Sequence, residues 1–252
     1  MKASIAAAAA AFAVTLPVVA LAQTPVVDKT LPATHAKALS IDAGGGDVTL
    51  VPDQSAGSVR VRIEQSGASG TPPPVRSTTN GSKLAITIGS SGGGSMIPFA
   101  AAAATAFTID YPPSMNVDIR VSSGNVHVVR PSAQVQIYSG QGDVTVDAPA
   151  ARVAAEAAHG TVTTTNAMGP VDLASDLGDV NAQLAPGWHG DEVRIQCEQG
   201  AIHLTVPQGF RGKLDVTSGT GNVHNELGKS NAKKPLVFLY APAGDVSIAV
   251  VR

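Results

Sequence analysis

The chain has 252 residues, 44% of them apolar but only 4% aromatic and 14% charged, with 26 Gly, 17 Pro and a net charge of −2. A globular chain is usually about 25% charged, so a charge-rich disordered tail and a surface-charged helical bundle are excluded, and a near-neutral balance excludes a basic nucleic-acid binder. Cys197 is the sole cysteine, which rules out an internal disulfide and a Cys-based zinc cluster.

Residues 1–22 read as a secretory signal peptide: Lys2 opens it, Ile5 to Val14 form an apolar run, and Ala20-Leu21-Ala22 is a small-x-small cleavage site before Gln23. Pro17 and the shortness of the apolar run argue against a membrane anchor. No Cys follows that run, so a lipoprotein anchor is not expected. Cleavage removes Lys2 and leaves 16 basic against 19 acidic residues, a charge of −3, with no membrane span. The expected location is the periplasm or, after secretion, the cell surface. Residues 23–38 read as an N-terminal linker and 39–252 as one β-solenoid domain.

Within that domain the pattern is a repeat. Valine stands at 117, 126, 135, 144, 153, 162, 171 and 180, always nine apart, and the residue two places on is mostly apolar: Ile119, Val128, Ile137, Val146, Ala155, Thr164, Leu173 and Ala182. A Val-x-apolar unit is the period-two signature of a strand with one buried face. Gly124, Gly142, Gly160 and Gly178 recur every eighteen residues, two places before the next Val, where a sharp corner calls for glycine. The alternate corners, such as Arg130-Pro131-Ser132-Ala133, favour Pro and small residues. The unit is therefore strand, Gly corner, strand, looser corner.

The same pairing recurs upstream, Leu39 with Val48, and downstream, Val193 with Ile202, Leu214 with Val223, and Val237 with Val246. Between Val51 and Phe107 the register is blurred. Val59, Val61 and Ile63, then Leu84, Ile86 and Ile88, still alternate like strands, and the Ala-rich patch Pro98 to Phe107 reads as a loop or short helix leading into a strand from Thr108 to Tyr111.

Two short strands cannot bury a core alone, so copies must stack. The predicted fold is all-β, a right-handed parallel β-helix (β-solenoid) with two-strand turns of ~18 residues. Stacked in chain order, one sheet holds Val117, Val135, Val153, Val171, Val193, Leu214 and Val237, and the other Val126, Val144, Val162, Val180, Ile202, Val223 and Val246. An antiparallel sandwich has no reason to keep a nine-residue register. A left-handed hexapeptide helix would space its apolar residues by six.

The passage Thr108-Ile-Asp-Tyr-Pro-Pro-Ser-Met-Asn-Val-Asp-Ile-Arg-Val-Ser-Ser-Gly-Asn-Val-His-Val resembles the "strand, Pro, Val-x-Val-x-Ser-Ser-Gly-Asp-Val" passage of the bacterial putative-adhesin family, and the later Gly-Asp-Val corners are similar. The resemblance spans roughly residues 39–252 and is structural. It implies a right-handed β-helix at the cell envelope, and no functional residue carries over from it.

The corner residues Asp47, Asn125, Asp143, Asp179, Asn222 and Asp245 invite a calcium reading, but Thr161 and Ala201 interrupt the series, and side chains that satisfy corner amides are the better account. His127, His203 and His224 take the first outward place of the second sheet; His203 and His224 would lie on neighbouring turns, with no third ligand. His159 lies in a corner and His189 in an insertion, neither with a partner. Glu156 and Asp172 come nearest to an acid pair, yet they occupy different columns of adjacent turns. Cys197 counts as inward and reads as a small core residue. Tyr138, Phe238 and Tyr240 face outward without forming a carbohydrate platform, and Trp188 reads as packing over the solenoid edge.

No catalytic, cofactor-binding or metal-binding residue is therefore assigned, and no enzyme activity or cofactor is expected. The expected function is that of an exported adhesin-like interaction or scaffold protein whose partner is an envelope component, glycan or protein. The alternatives are a self-assembling structural envelope protein, its last strand running uncapped almost to Arg252, and a β-helix polysaccharide-active enzyme.

Overall fold

The computed structural model describes residues 27–54, 57–66, 72–89, 104–227 and 232–251; the signal-peptide reading of 1–22 and most of the patch 98–107 lie outside them. All regular elements among the described residues are strands. The first seven are β1 (Val27–Pro32), β2 (Ala38–Ala43), β3 (Asp47–Pro52), β4 (Ser58–Ser66), β5 (Val75–Asn80), β6 (Lys83–Ile88) and β7 (Ala104–Tyr111). The regular block follows as β8 (Asn116–Val121) and β9 (Val126–Val129), β10 (Val135–Gln141) and β11 (Val144–Asp147), β12 (Val153–His159) and β13 (Val162–Ala167), and β14 (Val171–Leu177) and β15 (Val180–Leu184). It ends with β16 (Glu192–Gln199), β17 (Ile202–Val206), β18 (Lys213–Ser218), β19 (Val223–Asn225), β20 (Leu236–Ala241) and β21 (Val246–Val250).

These strands form an eleven-stranded sheet, in the order β1-β4-β7-β3-β9-β11-β13-β15-β17-β21-β19, and a ten-stranded sheet, in the order β18-β20-β16-β14-β12-β10-β8-β2-β6-β5. The valine register sets the pairing. Val117 pairs with Val135, Val135 with Val153 and Val153 with Val171 in one sheet, and Val126 with Val144, Val144 with Val162 and Val162 with Val180 in the other, all parallel. Like stacks on like, so every inward Val, Ile and Leu of the regular block is buried between the two sheets.

Each glycine corner rests on the one below. Gly142 has φ +126, and its amide donates to the His159 carbonyl at 2.8 Å. A Cβ at Gly142 would lie 2.3 Å from the Gly124 carbonyl oxygen. Both the dihedral and the close backbone approach demand glycine there. The looser corners also turn through left-handed residues, Arg130, Ala148 and Asn166.

Beneath the glycine corners runs a column of small inward side chains. Ser175 Oγ donates to the Gly160 carbonyl at 2.9 Å, Cys197 Sγ to Gly178 at 3.2 Å, and Ser218 Oγ to Gly221 at 2.9 Å. These groups satisfy carbonyls that the tight turn directs into the slot.

Three features differ from the sequence reading. First, Val27–Pro32, inside the segment read as a linker, is a strand paired antiparallel with β4; buried Leu31 and the bond from Arg60 Nε to Asp28 Oδ1 at 2.8 Å anchor it. Second, the blurred stretch forms the N-terminal end, where β4 pairs antiparallel with β7 and β5 antiparallel with β6, so parallel repeats no longer apply. The strand leading to Tyr111 accordingly starts at Ala104, because Phe107 is buried and Ala106 already pairs with Asp47 on β3.

Third, the turns do not stack in chain order at the C-terminal end. Val237 sits between Val193 and Leu214, and Val246 between Ile202 and Val223. The last rung of the chain is an internal rung of the stack, and the outermost rung is β18–β19. The more apolar rung takes the covered place; the rung carrying Lys213, Asp215, His224 and Asn225 takes the exposed one. The uncapped edge therefore belongs to β18 and β19, not to the last strand.

Candidate functional site

The parallel register lines up outward side chains into columns. On the larger sheet one column reads Thr49, His127, Thr145, Thr163, Asn181, His203, Ser247 and His224. His203 and His224 are thus not on neighbouring turns: Ser247 stands between them, because the last rung inserts there. At two strand spacings, about 9.6 Å, they cannot share a metal. His127 instead bonds to Asp147 Oδ2 through Nε2 at 2.7 Å, and Thr165 Oγ1 donates to Asp147 Oδ1 at 2.9 Å. His127, more than Thr165, holds the Asp147 carboxyl below its usual range.

On the smaller sheet Glu156 pairs with Ala174, and Asp172 with Ala154, so the two acids stand in different columns. Asp172 is engaged by Arg152 at 3.1 Å. Ala154 and Ala174 leave a shallow hollow of about 190 Å³ beside Gln136 and Glu156. Tyr138 is 43% exposed and separated from Tyr240 by Glu156, Ala174 and Gln196, so no aromatic platform forms. Phe238 packs under the Arg194 guanidinium, 5.7 Å from the ring centre.

The corner acids form a ladder. The Asn125 amide donates to Asp47 Oδ1 at 2.8 Å, the Asp143 amide to Asn125 Oδ1 at 2.9 Å, and the Thr161 amide to Asp143 Oδ1 at 2.8 Å. Ala201 and Asn222 donate in the same way to Asp179 and Asp245. Each side chain serves the amide of the next rung, and no group of three potential metal ligands occurs among the described residues. Cys197 is fully buried, and burial, with Asp179 and Glu198 nearby, pushes its thiol up to about 11. It is a poor nucleophile at neutral pH.

A cleft lies at the looser corners, where the extra residues of the later turns accumulate. Residues 185–191 and 207–212 bulge from successive rungs, and Pro235 and Val251 close the other side of a cleft of about 710 Å³. Trp188 is fixed at its floor. Its Nε1 donates to the Gly169 carbonyl at 2.7 Å, and its ring lies tilted against Phe210, with centroids 5.6 Å apart. The ring covers Gly190 so closely that a Cβ there would fall 2.5 Å from Trp188 Cζ2. Pro186 and Pro207 extend the apolar wall, and Gln208 and Arg211 stand at the rim.

Trp188 does pack over the solenoid edge, as its sequence position suggests. What the sequence conceals is that Phe210, in the next insertion, shares the cleft with it. The signal was there only as unequal spacing between turns, which shows where residues accumulate but not what they face. An aromatic and proline wall with an Arg and a Gln at its mouth suits a ligand with one apolar face and a hydroxyl or acidic edge. Among the described residues, no carboxylate, imidazole or thiol lines it.

In comparisons with known proteins, no curated protein matches. Solved structures with similar chains include a putative cell adhesion protein from Clostridium sporogenes, at 12% identity and a TM-score of 0.42, the match covering 90% of this chain and all of that one. A putative adhesin from Bacteroides fragilis is similar at 14% identity and a TM-score of 0.46, covering 89% of this chain and 96% of that one. Among family models, residues 36–181 match Toastrack DUF4097. That match takes in more than half of the chain, which belongs to the Toastrack DUF4097 family.

Proposed function

We propose that this protein is an exported, non-catalytic right-handed β-solenoid that binds a cell-envelope component, and that the Trp188–Phe210 cleft is where it binds. The observation that carries the reading is the cleft. There, among the described residues, the repeat is broken by two aromatic rings held against each other, with prolines beside them and Arg211 and Gln208 at the mouth. The rest of the solenoid acts as a stiff support, its outward acids dispersed or engaged with basic neighbours. Export is supported by the residues from Lys2 to Ala22, and the partner is a glycan or protein of the periplasm or cell surface, not a nucleic acid.

The test is a binding screen of the purified chain against envelope fractions and defined glycans, repeated with Phe210→Ala and Arg211→Ala. Binding that both variants reduce about tenfold or more, with unchanged melting, is the expected result. Binding that survives both places the site elsewhere. Hydrolytic or lytic activity on a polysaccharide that is lost in Glu156→Gln or Asp172→Asn would replace the reading with an enzymatic one.

A further inference from the structure

The two ends of the stack differ. At the N-terminal end three strands, β7, β4 and β1, extend one sheet beyond β3, while β6 and β5 extend the other beyond β2, so that end is uneven by one strand and its outermost strands, β1 and β5, are paired antiparallel to their neighbours. At the C-terminal end both sheets stop on the same rung, β18 on one side and β19 on the other. This flush end exposes the slot: Leu214 and Val216 are only partly covered, and Val223 is 50% exposed.

The free backbone groups of that rung can be located. Lys213 donates its amide to Pro235, Val246 donates to the Asn222 carbonyl, and Glu226 donates to Ile248. Main-chain direction alternates along a strand. The N–H and C=O groups of Leu214, Val216, Ser218, Val223 and Asn225 therefore point away from the stack, toward the open end. The residues whose side chains face the slot are the ones whose backbone faces a partner.

We propose that this end is a homodimer interface, in which a second copy docks end to end through a two-fold axis crossing the slot between Val216 and Asn225. Such an axis lays β18 antiparallel on β18 of the second copy, and β19 antiparallel on its β19. Val216 and Asn225 each oppose themselves, Leu214 opposes Ser218, and the outward-pointing groups exchange on the order of eight main-chain hydrogen bonds. The polar side chains fit the same axis. His224 and Glu226 flank Asn225 on one face, 3.8 Å apart within the chain, so each His224 comes opposite the other copy's Glu226. Asp215 meets Thr217, and no like charges face each other. The opposite end, with β1 and β5 outermost, is uneven by one strand and does not match the flush end, and the two-fold pairing uses the flush edges of both copies, so association stops at two. This inference does not depend on the ligand of the cleft.

Analytical ultracentrifugation of the purified chain over a concentration series tests it, with Val216→Pro as the main variant. Proline there removes an N–H that the single chain leaves unpaired, so folding should be retained. The dimer dissociation constant should rise at least about tenfold through the lost main-chain bonds. As a second readout, Asn225→Cys should form a disulfide-linked dimer on mild oxidation, because self-opposed Cα atoms about 5.5 Å apart suit the bond. Thr163→Cys, on the flank of a middle rung, should not. A chain that stays monomeric at every concentration, a dimer indifferent to Val216→Pro with no Asn225→Cys cross-link, or growth into longer polymers would overturn the proposal.

Discussion

Replacing Gly142 with Ala tests whether stacked corners hold the rungs in register. The new Cβ would stand 2.3 Å from the Gly124 carbonyl oxygen and 2.6 Å from its carbon. Both atoms are backbone, and Gly124 is itself held by its amide bond to the Gln141 carbonyl at 2.7 Å. Relief requires the corner to open by about an ångström, stretching the Gly142–His159 bond and the neighbouring Asp143–Asn125 bond, worth about 1 kcal/mol each. An L-residue at φ +126 adds about 1–3 kcal/mol of backbone strain. The expected loss is therefore about 3–5 kcal/mol. Gly81→Ala is the control: Gly81 also has positive φ, +57, but nothing lies within 4 Å of its Cβ position, so only the strain of about 1 kcal/mol should appear. Urea denaturation followed by circular dichroism reads both variants. Equal midpoints for the two would show that stacking contact at the corners contributes nothing beyond dihedral strain, and the account of the corner would fail.

Other variants probe the core. Val162→Asp places a carboxylate in the slot at a fully buried position and should cost about 4 kcal/mol or more, whereas Thr163→Asp, one residue along and outward, should be nearly neutral in the same titration; equal tolerance would refute the register. The Tyr111 hydroxyl is buried without a hydrogen-bond partner, so Tyr111→Phe should leave the melting temperature unchanged or raise it, with a gain of up to about 1 kcal/mol. A lower melting temperature would mean that the hydroxyl is satisfied after all. Alkaline stability follows from two buried acids, since burial raises the Tyr111 hydroxyl to about 12 and the Cys197 thiol from 9.0 to about 11. A group that holds its proton more tightly folded than unfolded contributes fully below its unfolded value and loses that contribution as pH rises toward the folded one. Stability should therefore fall from about pH 9 upward, by about 2 kcal/mol from the thiol alone, and Cys197→Ser should flatten the part of the curve between about pH 9 and 11. An unchanged curve in that variant would remove the thiol from the account.

The repeat was legible because its period is enforced by contact. Each Val of the block from Val117 to Val180 touches its counterpart on the next rung, and a shift of one residue would turn every apolar side chain outward. The glycine corners were legible for the same reason, since a Cβ at Gly124 or Gly160 would meet backbone. The order of the last rungs was not, because any Val-x-apolar rung can stack on any other. Only composition decides between them: Asn225 occupies the inward place held by Ile248 on the next rung, and a polar residue there belongs at an end. The antiparallel pairs between Val51 and Phe107 escaped a search for parallel repeats, though their alternation marked them as strands. At the cleft, Trp188 was visible as an isolated aromatic, but its contact with Phe210 depends on how two insertions fold over the same flank.

The out-of-order rung also changes what the end of the polypeptide means. Residues 236–250 follow β18 and β19 in the chain, yet β18 and β19 reach the stack only through them. A chain cut short after residue 231 would lose an inner course of the wall, and with it the strands on which Lys213–Ser218 and Val223–Asn225 pair. Val251 borders the aromatic cleft, so an affinity tag joined directly after Val251 would emerge beside that cleft, whereas one joined directly ahead of Val27 would start from the opposite end of the stack.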